Sequence, residues 1–231
     1  MPSQWPSRGI CPECGASKAN VQHEDGHSYC FSCQTRFGED MIQHTKIVPM
    51  SERHSSVEYN KTRGVVEAID DRKISKDTVK KYNTQIKKTG NTITQHIYKY
   101  FDKDGNYVAN KIKDVKSKRF WSEGNLGTAG LFGQNVFNQS GKYITVCEGE
   151  LDAMSAYELM GSKWPCVSIK NGAASALENC KQSFDYLNKF ETIVLCFDND
   201  DPGKEAAQKV AQIFEPNTCK IVSLELKDAT E

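Results

Sequence analysis

From Gly141 onward the apolar positions follow two alternating patterns. "KYITVC", "CVSIK", "ETIVLCFD" and "CKIVSLEL" are short, nearly continuous apolar runs. Between them, "ELDAMSAYELM", "SALENCKQSFDYLNKF" and "DPGKEAAQKVAQIF" read as helices. Strands alternating with helices predict a mainly parallel sheet covered on both faces. In the middle of the chain, "NTITQHIYKYFDKDGNYVANKIKDV" alternates apolar and polar residues about Asp104-Gly105. That is the signature of an antiparallel hairpin. Ahead of it, "RKISKDTVKKYN" predicts a short helix capped by Ser75, with Thr78, Val79 and Tyr82 at helical spacing. Near the N-terminus, Asp25-Gly26 predicts a turn that leads into His27, Tyr29 and Phe31 at period two. These three are expected on one face of a short strand, with Phe31 in a small core. Residues 37–58 are polar without a clear period and read as a flexible linker.

Charge sharpens this division. The net charge is zero, but residues 61–120 carry 16 Lys/Arg against 7 Asp/Glu, and residues 121–231 carry 9 against 16. A basic block beside an acidic one suits polyanion contact in one place and cation binding in another. Lys111, Lys113, Lys116, Lys118 and Arg119 sit close to Phe120 and Trp121, a mixture that suits phosphate and base contacts. The alternative is a solvated edge strand defended by lysines. No apolar run is long enough to span a bilayer, and the N-terminus lacks a signal-peptide core, so a cytoplasmic location is expected.

Nine cysteines in such a chain argue for metal ligands or free thiols rather than a disulfide framework. Cys11, Cys14, Cys30 and Cys33 have the spacing C-x2-C-x15-C-x2-C, which predicts a closed, structural four-thiolate Zn²⁺ site. Cys147, Cys166, Cys180, Cys196 and Cys219 read as buried thiols, Trp164 as core or rim, and His96 as a surface residue. Carboxylates end the strands of the acidic half: Glu148 after "YITVC", Asp198 and Asp200 after "IVLCF", Asp228 after "IVSLELK". Sites in parallel sheets form at the carboxyl ends of strands, and clustered carboxylates there suit Mg²⁺ and phosphoryl chemistry. Alone, the "DND" is also compatible with a turn and a helix cap.

"EGELD", "DND" and the terminal "KD" together resemble the TOPRIM domain. With "GHSYCFSC", "ISKDT", "DKDGNYVANKIKD", "LFG", "NGAAS", "FDNDDPG" and "KDATE", the order of parts resembles the primase half of bifunctional phage primase–helicases. The resemblance implies an α/β TOPRIM domain preceded by a basic α+β subdomain and a small N-terminal zinc ribbon. The zinc-binding domain would cover 1–36 and the linker 37–58. The basic N-terminal subdomain of an RNA polymerase domain would cover 59–138, and a C-terminally truncated TOPRIM domain 139–231. It implies DNA-dependent RNA primer synthesis on single-stranded template from ribonucleoside triphosphates, in the host bacterial cytoplasm. It further implies a hexameric helicase, fused or separate, and a replicative DNA polymerase as partners. Glu148, Asp152, Asp198, Asp200 and Asp228 match the acidic set, with Mg²⁺ or Mn²⁺ on Glu148, Asp198, Asp200 and Asp228. Lys111 and Lys118 match nucleotide-binding lysines, and His27 with Asp25 the residues that read the template. "IKNGAAS" departs from the family in having Lys170 and Asn171 where a Gly-His pair is expected. A zinc/TOPRIM recombination mediator of RecR type and a TOPRIM nuclease are the alternatives.

Overall fold

The computed structural model describes residues 8–17, 19–22, 27–33, 35–37, 61–137 and 140–223. Asp25, Asp228 and all but the first residue of the expected linker lie outside them. The chain divides into two compact units, Met1–Val57 and Glu58–Glu231.

The first unit contains a four-stranded antiparallel sheet of very short strands: β1 (Arg8–Gly9), β2 (Asn20–Gln22), β3 (Ser28–Cys30) and β4 (Arg36–Phe37). Its buried apolar residues among those described are Cys11, Val21 and Cys30. Phe31 does not belong to this core. Strand β3 stops at Cys30, and Phe31 stands 67% exposed in the turn that follows. The second cysteine pair needs that turn to bring its sulfurs together, and the turn carries Phe31 off the strand. Tyr29 packs edge-to-face on it at 5.0 Å.

In the second unit, α1 (Lys76–Lys81) starts at Ser75, whose Oγ accepts from the Thr78 N–H at 3.2 Å. A four-stranded antiparallel sheet follows in sequence order: β5 (Gln85–Thr89), β6 (Thr92–Phe101), β7 (Tyr107–Asp114) and β8 (Phe120–Gly124). The β6–β7 turn places Gly105 at φ +83°, a conformation that glycine adopts without a Cβ penalty. The acidic half forms β9 (Gly141–Cys147), α2 (Glu150–Leu159), β10 (Cys166–Ser168), α3 (Ala176–Gln182), α4 (Phe184–Leu187), β11 (Phe190–Cys196), α5 (Asp201–Ala211) and β12 (Cys219–Ile221). Its sheet runs β10-β9-β11-β12, and every pairing is parallel.

The segment read as one helix from Ser175 to Phe190 is broken at Ser183. The Ser183 hydroxyl bonds Gln134 at 3.2 Å, and the Tyr186 hydroxyl reaches the Phe137 carbonyl at 2.8 Å. These tertiary anchors outweigh the few tenths of a kcal/mol that continuous helix propensity offers per residue.

Helix α2 is buried on nearly every side, from Glu150 through Tyr157 with the exception of Asp152. Met154 and Tyr157 share one core with Tyr98, Tyr100 and Ala109 of the antiparallel sheet and with Cys147, Cys166 and Cys196 of the parallel one. A second core on the parallel sheet's other face joins Ile144, Val146, Ile193 and Leu195 to Ala176, Leu187 and Val210. The Tyr82 hydroxyl ties α1 to the parallel sheet by donating to the Cys166 carbonyl at 2.8 Å. Sandwiched in this way, α2 points its first turn into the space between the two sheets. Among the other cysteines, Cys147, Cys166, Cys180 and Cys196 are buried and Cys219 is half-buried.

His96 is not on the surface. It is 3% exposed, with Nδ1 3.1 Å from the Tyr98 hydroxyl, and burial pushes its pKa down to about 4. The residue lies where β6 is covered on both faces, so His96, Ile97 and Tyr98 are buried in succession.

Candidate functional site

The four cysteines of the first unit bring their sulfurs within 4.8 Å of one another, the one such ligand cluster among the described residues. Cys11 Sγ is 3.5 Å from Cys33 Sγ, and Cys14 Sγ is 3.7 Å from Cys30 Sγ. Zn–S bonds of about 2.3 Å in a tetrahedron put sulfurs roughly 3.8 Å apart, so the set fits Zn²⁺. Backbone bonds build the knuckles: the Gly15 N–H donates to Cys11 O and the Cys30 N–H to Thr35 O. Thr35 holds the Cys33 thiol down to about 6, while desolvation pushes Cys11 up to about 11. His27 lies directly before β3.

In the second unit, a cleft of about 570 Å³ opens where the carboxyl ends of β9 and β11 face β7 and β8. One wall is acidic. Glu148 follows β9, Asp198 follows β11, and Asp152 lies in the first turn of α2, where the helix dipole favours a carboxylate. Glu148 is fixed by two backbone donors, the Ala173 N–H at 3.1 Å and the Asp198 N–H at 3.4 Å. These three carboxylates line one cleft without converging as tightly as the sulfurs do.

The opposite wall is basic. Lys111 and Lys113 lie two apart on β7 and so point the same way, and Arg72 joins them. Burial, together with the Arg72 charge, holds Lys113 below the usual lysine value. Phe120 lies beneath both ammonium groups, 4.8 Å from Lys111 Nζ and 5.5 Å from Lys113 Nζ.

Lys111 is held from behind. Its Nζ makes a 2.7 Å ion pair with Glu150 and donates to the Lys170 carbonyl at 2.5 Å. The Tyr100 hydroxyl donates to the same Glu150 oxygen at 2.6 Å. Reading the sequence for strand-end acids and for the cations near Phe120 singled out Lys113 but passed over Glu150 and Arg72. The period of two from Lys111 to Lys113 on β7 carries Lys113, whereas Glu150 opens α2 and has no such signal.

Two expected residues stand apart from the cleft lining. Lys118 occupies the β7–β8 turn at φ +56°. Asp200 caps α5, its Oδ1 accepting from the Gly203 N–H at 2.9 Å. The cap engages one oxygen of Asp200. Lys170, at the departure from the family pattern, is 4% exposed, and its Nζ donates to Ala129 O and Gln182 Oε1. Its side chain braces the core, and Asn171 lines the cleft instead.

A Cβ on Gly203 would lie 2.2 Å from the Asp198 carbonyl. Gly203→Ala is therefore expected to shift the loop bearing Asp198 and Asp200 and to cost roughly 1–3 kcal/mol. Thermal unfolding will report the cost as a lower midpoint.

A family model described as Toprim-like matches residues 145–231. The chain is 33% identical to the DNA helicase/primase of Enterobacteria phage T3 over 230 residues, which cover 96% of this chain and 40% of that protein. The chain thus spans two fifths of that relative. It superposes on the primase fragment of the bacteriophage T7 primase-helicase with a TM-score of 0.66 and 32% identity, covering 98% of this chain and 93% of that one. A second T7 structure, of lagging-strand DNA polymerase interacting with primase domains of two gp4 subunits bound to an RNA/DNA hybrid and dTTP, matches at TM-score 0.64 and 35% identity. That match covers 71% of this chain and 83% of the other.

Proposed function

This chain belongs to the primase family of the phage T7 and T3 primase-helicases, and from that premise we propose that it synthesises short RNA primers on single-stranded DNA. The observation that carries the reading is the cleft with one acidic and one basic wall. A nucleoside triphosphate with its divalent cation presents both signs of charge to such a site. Mg²⁺ or Mn²⁺, when bound, supplies neutralisation of the triphosphate and the leaving pyrophosphate.

Glu148, Asp152 and Asp198 hold the cation, with Asp200 and Asp228 as the remaining members of the acidic set. Glu148, clamped by two N–H groups, keeps a fixed orientation and retains lone pairs for a metal or a proton. Lys111, Lys113 and Arg72 take the phosphates, and Lys118 reaches nucleotide or template from the β7–β8 turn. Phe120 and Trp121, 49% and 39% exposed, offer faces to bases. His27 and Asp25 read the template from the zinc module. Helicase and replicative polymerase are the partners this reading implies for the chain.

The test is de novo synthesis on randomised single-stranded DNA with labelled ribonucleotides and Mg²⁺. Template-dependent short RNA is expected from the wild type. Asp198→Ala is expected to reduce it at least 100-fold, on the order of the loss when a charge-stabilising group is removed. Template binding without synthesis would favour a recombination mediator, and a shortened template a nuclease.

A further inference from the structure

A second pocket, of about 320 Å³, opens at the opposite, amino-terminal end of the parallel sheet. Gly141, at the start of β9, lines it, and Cys147, at the other end of that strand, precedes Glu148. Six residues of strand set the two sites roughly 20 Å apart.

The walls are aromatic and the rim is cationic. Tyr143 and Trp164 meet edge-to-face with centroids 5.3 Å apart, and Phe137 and Phe190 complete the apolar lining. Gly141 keeps the floor open, since a Cβ there would lie 3.3 Å from the Phe190 ring. Tyr143 remains 36% exposed although it lies on a central strand. Lys142 Nζ sits 5.5 Å from the Tyr143 centroid, and Lys163 Nζ 5.0 Å from that of Trp164. No aspartate or glutamate lines the pocket, and among the described residues neither lysine is in an ion pair.

We propose that this pocket is a second nucleic-acid subsite, which stacks one base of a single strand on Tyr143 and Trp164 and holds the adjoining phosphates on Lys142 and Lys163. Aromatic faces alternating with cations match the alternation of base and phosphate along an unpaired strand. The absence of carboxylates removes the repulsion a polyanion would meet. The inference rests on the primase reading only in taking a single strand as the ligand.

The experiment measures binding of the 231-residue chain to fluorescein-labelled dT20 by anisotropy, without nucleotides or Mg²⁺, so its result does not depend on polymerisation. Trp164→Ala is expected to weaken binding roughly tenfold, and Trp164→Phe to retain it. Lys142→Gln/Lys163→Gln alters exposed side chains and is expected to fold. It is expected to lower the slope of log K against log salt by about 1.4 for two single-strand phosphates. An abasic 20-mer is expected to bind the wild type and Trp164→Ala equally. An unchanged salt slope in the lysine variant overturns the proposal, as does equal loss with Phe and Ala at position 164. If both variants bind dT20 like the wild type but lose an acidic peptide, the pocket belongs to a protein partner and the proposal fails.

Discussion

Glu150→Ala is expected to destabilise the chain by about 3–5 kcal/mol and abolish primer synthesis, whereas Glu150→Leu with Lys111→Met is expected to recover most of the stability and none of the activity. The Glu150 and Lys111 side chains are 4% and 12% exposed, so their ion pair is nearly out of water. Removing only the carboxylate leaves the ammonium with the Lys170 carbonyl as its neutral partner and takes the acceptor from the Tyr100 hydroxyl. An uncompensated buried charge is the costly product, not the missing attraction. Replacing both members with apolar side chains of similar length removes that charge, and the Tyr100 hydroxyl and the Lys170 carbonyl are then left to find water. A whole domain has only about 5–15 kcal/mol to lose, so the single change is severe. Urea unfolding of Glu150→Leu, Lys111→Met and the double variant measures the coupling. Strictly additive losses would show that the pair is not energetically linked. Activity is not expected to return in the double variant, because Lys111 is also the cleft's phosphate contact in the proposed reaction.

That pair also marks the limit of what the sequence discloses. The buried strands β9 and β11, the Ser75 cap, the β6–β7 hairpin and the four-cysteine module were all legible, because each is written in local spacing. Glu148 and Asp198 were legible too, since strand ends in a parallel sheet are predictable sites. Glu150 was not, because its meaning comes from Lys111 and Tyr100, which reach it from another sheet. His96 was misread for a related reason. Alternation identifies one buried face, but β6 is covered on both, so a histidine on the second face looks exposed in the sequence. Phe31 failed in the opposite sense. The pattern assumed an apolar core where the module is organised by sulfur, and the knuckle turn displaced the ring to solvent.

That sulfur-centred organisation gives the second large effect. Stripping the metal from Cys11, Cys14, Cys30 and Cys33 with a chelator is expected to unfold residues 11–37 while the sheets within 85–124 and 141–196 stay intact. The described part of the first unit buries three apolar residues, two of them ligand cysteines, and leaves Ile10 and Phe31 exposed. So little buried area cannot offset the entropy of ordering the backbone, which costs about 1–2 kcal/mol per residue. A structural Zn²⁺ site contributes on the order of 10–16 kcal/mol, so the metal supplies the stability that the side chains lack. The second unit has its own two cores, built on residues from Ile69 to Phe214, and does not draw on that site. Hydrogen exchange read peptide by peptide on the 231-residue chain distinguishes the two. Protection of β2 and β3 is expected to vanish on chelation and return with Zn²⁺, with β7, β9 and β11 unchanged throughout. Template-directed synthesis is expected to follow the protection of the first unit, because the module proposed to read the template is lost while the cleft is kept. Retained protection of β2 and β3 in the stripped protein would show that the module folds without its metal and that the four cysteines serve another purpose.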